Sequence, residues 1–178
     1  MGAMRAARAE DLPAVDSVFR DAIRDMNRNG IPQWDEIYPT PETLHADYEK
    51  GDLYVSEDEN GKVVAAVVIN ADCNPDCRGD YAATSWQGGE PYLIVHRLCV
   101  SPSAQGKGTG RALMADVEAW ARERGYVDIR LDAFSLNPHA LRMYDRMGYR
   151  KRGEANWRSR QEFCAQLQEL ERQAVATR

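Results

Sequence analysis

Three glycines, Gly106, Gly108 and Gly110, alternate with Lys107, Thr109 and Arg111 in the run Val100-Ser101-Pro102-Ser103-Ala104-Gln105-Gly106-Lys107-Gly108-Thr109-Gly110-Arg111. A backbone of this kind can turn tightly and aim several N–H groups at one point, and a helix beginning there adds the positive end of its dipole. Lys107 and Arg111 supply full charges. The chemistry suited to the run is the holding of a phosphate; a glycine-rich turn with no ligand is the structural alternative. Spacing narrows the choice of phosphate. The Walker pattern G-x-x-x-x-G-K-[ST] fails because the loop's Gly106-Lys107 pair is followed by Gly108. The dinucleotide pattern G-x-G-x-x-G fails because Arg111 stands where its third glycine belongs.

The elements that must position this loop are readable on both sides of it. Residues 92–100 form a strand running into it, and a helix from 109 to about 125, with Leu113, Val117, Trp120 and Ala121 at helical spacing, runs out of it. Upstream, Val15, Val18, Phe19, Ala22, Ile23 and Met26 mark a helix over 12–28, with Asp11 before Leu12-Pro13 as its start signal. A polar connection containing Gln33, Trp34, Tyr38 and Pro39 follows, and Thr40-Pro41 opens a second helix to about residue 50. Residues 53–56 and 62–70 read as a hairpin, the β-branched run 63–69 being a buried strand. Residues 71–91 show little periodicity, and loops of that length in a compact domain are usually functional. Downstream come a strand over 127–134 and a helix over 137–147 with Asn137 as its cap and Gly148 at its end. Residues 149–153 begin a strand, whereas 157–173 fit either a strand or an amphipathic helix through Phe163, Leu167 and Leu170.

On these residues the chain resembles the Gcn5-related N-acetyltransferases (GNAT). Gln105-x-x-Gly108-x-Gly110 after a strand matches their Q/R-x-x-G-x-G/A signature, and H-R-L-C-V, I-R-L-D-A-F and N-P-H-A-L-R-M-Y-D-R-M-G-Y follow the family in order and spacing. The Q-W-x-x-x-Y-P segment (Gln33, Trp34, Tyr38, Pro39) is similar to a bacterial subgroup of that family. The resemblance implies an acyl-CoA N-acyltransferase fold of the α/β (α+β) class, a mixed and mostly antiparallel sheet flanked by helices. It implies acetyl-CoA as acyl donor, with its pyrophosphate on Gln105, Gly106, Lys107, Gly108, Thr109, Gly110 and Arg111. Pantetheine is implied to pair with the backbone of Leu98, Cys99 and Val100 like an added strand, near a bulge, and to meet the side chain of Asn137.

Acetyl transfer to an amine needs a proton acceptor for the amine and a proton donor for the leaving thiolate. Tyr144 lies seven residues after Asn137, two turns into the helix on its cap's face. The resemblance implies that it is the donor; an aromatic packing residue is the alternative. Several family members place a glutamate on the strand before the loop, and residues 92–100 contain no acid. His96 is at even spacing from Leu98 and Val100, so an extended strand places the three on one face, and a reference pKa near 6.5 suits a base. A histidine packed in the sheet is the alternative, and Asp35 and Glu36 are rival bases. Cys99 points to the opposite face, which favours direct attack in a ternary complex over an acetyl-cysteine intermediate. Trp34, Tyr38, Tyr81 and Trp86 are candidate walls of the acceptor pocket, or anchors of the connections that carry them.

Composition bounds what remains. The 178 residues, 43% hydrophobic and 29% charged, suit one soluble domain over 1–178. The net charge of −5 argues against nucleic acid or anionic membrane as the main partner. The total hides a local balance of +5 over 142–160, where Arg142 and Arg146 join Lys107 and Arg111 as candidates to neutralise phosphate charge. The apolar run 63–69 is far short of the roughly 20 residues of a membrane span, and an apolar signal core is missing at the start, so a cytoplasmic location is expected. Cys73 and Cys77 lack a second ligand pair, so no metal is expected. The expected function is acetylation of a primary amine on a small molecule. The alternatives are acetylation of a protein N-terminus or lysine, and non-catalytic acyl-CoA binding or sensing; a homodimer is left open.

Overall fold

The computed structural model describes residues 2–71, 88–158 and 164–173. The chain folds as two compact units, one formed by Met1–Ile69 and His96–Val117, the other by Asn70–Val95 and Glu118–Arg178.

In the first unit, strands β1 (Arg5–Ala6), β2 (Leu53–Glu57) and β3 (Val63–Asn70) pair antiparallel in that order, with Arg5 opposite Val55 and Leu53 opposite Val68. The end of strand β4 (Tyr92–Val100) lies beside β3, where Ser101 N–H donates to the Val64 carbonyl at 2.8 Å. The run 63–69 is buried throughout, as its unbroken β-branched sequence predicts. Helices α1 (Leu12–Arg28) and α2 (Pro41–Glu49) cover one face: Val15, Val18, Phe19 and Ala22 of α1 and Leu44 of α2 pack with Leu53, Val55, Ala66, Val68 and Cys99. Each large aliphatic or aromatic side chain so buried contributes about 1.5–3 kcal/mol. Thr40 caps α2 by accepting from Thr43 N–H, with Pro41 in the first turn as expected.

Asp11 does a different job from the one its position suggests. It is itself helical (φ −81°, ψ −21°) and its side chain does not cap α1. Its carboxylate accepts from Arg8 N–H at 2.7 Å and from both terminal nitrogens of Arg5 at 2.7 and 2.9 Å, closing a 3-10 turn over Ala9–Asp11. Arg5 also pairs with Glu57 of β2. The Arg5 hydrogen bonds, against an opposing effect of burial, hold the Asp11 carboxyl below its usual range. A depressed carboxyl contributes stability above its unfolded pKa near 3.9 and loses that contribution as pH falls through the folded value. Asp11→Asn is therefore expected to cost about 1–3 kcal/mol at pH 7 in a denaturant titration, the gap from the parent closing below about pH 4. Equal stability at pH 7 would contradict the assignment.

In the second unit the first part of β4 pairs parallel with β5 (Asp128–Phe134), from Tyr92 opposite Asp128 to Val95 opposite Leu131. The described residues of the segment left open between strand and helix are extended: β6 (Arg150–Arg158) and β7 (Cys164–Gln173) pair antiparallel, and β7 pairs antiparallel with β5 from Asp128 opposite Gln173 to Phe134 opposite Leu167. Among the described residues, the pairing of β4 with β5 is parallel and those of β1–β2, β2–β3, β5–β7 and β6–β7 are antiparallel. Helix α3 (Thr109–Glu123), which belongs to the first unit as far as Val117, runs out of the glycine loop and buries Leu113, Met114, Val117 and Ala121. Helix α4 (Pro138–Arg146) is capped by Asn137, whose side-chain oxygen accepts from Ala140 N–H at 3.1 Å. It closes on Gly148 (φ 88°), where Gly148 N–H reaches Asp145 O and Tyr149 N–H reaches Tyr144 O. That left-handed closure, which glycine adopts at little cost, turns the chain so that Tyr149 packs edge-on against Tyr144, ring centroids 5.6 Å apart. No helix among the described residues is long and apolar enough to cross a membrane.

Candidate active site

The loop between β4 and α3 has the conformation its glycines predict. Gly106 and Gly108 have φ of 73° and 82°, and a Cβ added at either meets nothing within 4 Å. Pro102–Ala104 form a 3-10 turn, and the buried Thr109 hydroxyl donates to Ala104 O at 2.8 Å, fixing the start of α3. The Gln105 side chain folds back and donates to Val100 O at 2.9 Å, bracing the loop on the end of β4. Lys107 Nζ donates to Ser103 O at 2.8 Å, which holds its charge over the loop. The backbone of 106–108 leads into the first turn of α3, whose opening N–H groups have no intrahelical acceptor. N–H groups at a helix start, with Lys107 and the exposed Arg111 beside them, are a fitting cradle for phosphate oxygens.

Strand β4 is irregular where the site residues lie. Its pairing with β5 ends at Val95, and Arg97 has φ 47°. The left-handed region costs a non-glycine residue about 1–2 kcal/mol. It interrupts the pleat, so even spacing no longer places His96 on one face with Leu98 and Val100; that expectation assumed an extended backbone between them. His96 is half-buried and near enough to Asp47 for its charged form to act on that carboxylate. Cys99 is buried against α1, its Sγ 3.8 Å from Val18 O, and burial pushes its thiol well above the usual range. Such a thiol is inert, in keeping with direct attack.

The Arg97 side chain forms a cluster that sequence reasoning missed. Its Nε and Nη2 donate to Asp47 Oδ2 and Oδ1 at 3.0 and 2.6 Å, and Nη1 donates to the Tyr38 hydroxyl at 2.6 Å. Burial raises the Asp47 carboxyl above its usual range against the pull of Arg97. For Arg97, burial opposes the charge, but Tyr38 and Asp47 outweigh it and keep the guanidinium protonated. The available signal was an arginine inside the apolar run Y-L-I-V-H-R-L-C-V, two residues from the buried Cys99. Trp34, the other aromatic of the α1–α2 connection, lies against Phe19 with ring centroids 5.4 Å apart. The rival base Asp35 is occupied in a turn, its Oδ1 accepting from Ile37 and Tyr38 N–H at 2.8 and 3.0 Å; Glu36 is exposed.

In the second unit Tyr144 is 5% exposed, and among the described residues its hydroxyl makes no hydrogen bond. Tyr149 contrasts with it: that hydroxyl, equally deep, donates to Glu118 at 3.4 Å. Burial, and next the charge of Asp132, push the Tyr144 phenol well above its usual range, so it is protonated at neutral pH. Arg142 and Arg146 are exposed on α4, Arg142 Nη2 lying 3.2 Å from His139 Nδ1. Tyr81 and Trp86, with Cys73 and Cys77, lie outside the described residues.

The streptothricin acetyltransferase of Streptomyces lavendulae is 32% identical over 93 residues, covering 52% of this chain and 47% of the relative. The chain thus spans about half the length of that curated relative, and less of others such as N-acetyltransferase 8F1 of Rattus norvegicus, which it covers to 30%. Among solved structures, the acetyltransferase GNAT family protein of Streptococcus agalactiae superposes with a TM-score of 0.77 at 16% identity, over 96% of this chain and 94% of the other. The Salmonella typhimurium protein yncA, solved with its cofactor acetyl-CoA, superposes with a TM-score of 0.70 at 19% identity, over 98% and 95% of the two chains. These likenesses establish the acyl-CoA N-acyltransferase fold. The model of the acetyltransferase (GNAT) family matches residues 17–149, a span that includes the glycine loop, β4 and all of α4, and the chain belongs to that family.

Proposed function

We propose that the chain transfers an acetyl group from acetyl-CoA to a primary amine on a small molecule, the amine attacking directly. The observation that carries this reading is the glycine loop, left-handed at Gly106 and Gly108 and open to an approaching group, that leads into the start of α3, a cradle matched to the pyrophosphate of the donor. Acetyl-CoA, when bound, supplies an acetyl group activated as a thioester and a thiol as leaving group. The loop holds phosphate oxygens through N–H groups, with Lys107 and Arg111 adding charge. Backbone groups of residues 98–100 hold the pantetheine as an added strand would, and the Val100 N–H donates to the carbonyl oxygen as charge develops there. His96 accepts the proton of the attacking amine, directly or through water. Tyr144, buried and protonated, gives its proton to the sulfur as the C–N bond forms and the C–S bond breaks. The likeness to a streptothricin acetyltransferase supports a small-molecule acceptor.

Release of free thiol from acetyl-CoA, followed across streptothricin, L-lysine, simple alkyl amines and short peptides, tests the proposal. Turnover greatest with a small amine is the expected result. Faster turnover on the peptides would replace the acceptor class, and acetyl-CoA binding without turnover on any amine would replace the enzyme by an acyl-CoA binder.

A further inference from the structure

A guanidinium of β4 reaches the α1–α2 connection. Arg97 lies at the left-handed kink of the strand, with its side chain 14% exposed and its partner Asp47 7% exposed. Asp47 takes two of its nitrogens in a bidentate pair, and the third reaches Tyr38. Tyr38 in turn closes the turn of its connection: its carbonyl accepts from Asp35 N–H at 3.1 Å, and its own N–H donates to Asp35 Oδ1 at 3.0 Å. The other end of the connection is held by Trp34 against Phe19. A planar guanidinium can serve two partners in fixed directions, which a lysine ammonium cannot reproduce. The residue before the kink is His96.

We propose that Arg97 is a positioning residue for the acceptor side: it ties Tyr38 to the β4 kink, so that the α1–α2 connection and His96 keep one geometry for the incoming amine. This rests on the acetyltransferase reading, in which the connection borders the acceptor and β4 holds the donor. Arg97 acts through Tyr38 and the strand and touches neither substrate. The tie has an asymmetric consequence. Loosening it disturbs acceptor binding, while the donor's cradle at 106–111 is held by its own contacts through Gln105, Lys107 and Thr109.

Amide hydrogen exchange, calorimetry with acetyl-CoA, and steady-state kinetics test this in three variants. Arg97→Gly removes the side chain, yet glycine adopts φ 47° freely, so the kink is preserved. Arg97→Lys keeps the charge for Asp47 and gives up Tyr38. Tyr38→Phe removes the hydroxyl alone. Exchange at the amides of Asp35, Ile37 and Tyr38 is expected to rise about three- to tenfold in Tyr38→Phe and Arg97→Lys and further in Arg97→Gly, with the acetyl-CoA Kd within threefold throughout. For the amine turned over fastest in the panel above, KM rises at least about fivefold in Arg97→Gly while the KM for acetyl-CoA stays within about twofold. Unchanged exchange in Arg97→Gly, or an equal rise in both KM values, overturns the proposal. A parent chain that fails to bind acetyl-CoA defeats the acetyltransferase reading instead, and the exchange result on the tie stands apart from it.

Discussion

Gly108→Glu is expected to abolish acetyl-CoA binding while leaving the fold intact. Two physical effects act together at this position. The backbone there has φ 82°, which costs a residue with a Cβ about 1–2 kcal/mol. The new carboxylate then stands in the loop ahead of the N-terminus of α3, and it takes the place of the phosphate that the loop would hold. At close range and partial burial, repulsion between it and a phosphate is worth about 4 kcal/mol, a loss of roughly a thousandfold. The fold should survive because an added Cβ meets nothing within 4 Å. Gly108→Ala separates the two effects, since it carries the backbone cost without the charge, and it should weaken binding by about tenfold. Calorimetry with acetyl-CoA, alongside circular dichroism, reads both. Undiminished affinity in the glutamate variant would remove the loop from the donor site.

Tyr144→Phe is expected to lower turnover by about ten- to a thousandfold, with the acetyl-CoA Kd changed by no more than about threefold. Its effect on stability should be small. Deleting the hydroxyl leaves the buried ring in place, packed against Tyr149. The variant should keep the stability of the parent to within about 1 kcal/mol. A packing residue would lose stability and rate together, so rate lost without stability is the diagnostic pattern. The pH profile provides a further check. Burial and Asp132 raise the phenol above its usual value, so it stays protonated well past neutrality and the rate should show no fall from its ionisation below about pH 10. An unchanged rate in the phenylalanine variant would exclude Tyr144 as the acid.

The two sites differ in how far they can be read from residues alone. The loop is a local object: glycine spacing, Pro102 and the flanking strand and helix specify it, and φ at Gly106 and Gly108 agrees. Tyr144 is local as well, since Asn137, Pro138 and Gly148 bound its helix by caps that act within a few residues. His96 is not. Its expected face followed from strand alternation, and alternation fails when one residue turns left-handed.

Local chemistry explains most of what the chain alone determined. The β-branched run of β3, the apolar stripe of α1, Thr40-Pro41 at the start of α2 and the glycine loop each specify their own conformation, because propensity, capping and period act over fewer than about ten residues. Tertiary structure decided what depends on partners far away in the chain. Residues 164–173 are a strand because β5 and β6 both offer hydrogen bonds to them, a choice their own apolar spacing left equal. Asp11 pairs with Arg5 instead of capping α1, and that guanidinium is placed by the pairing of Arg5 with Val55 and by Glu57, 52 residues away in the chain. Arg97 holds a strained backbone inside an apolar strand because Asp47, fifty residues earlier, meets it in a bidentate pair, and a distance of that kind in sequence leaves no periodic trace.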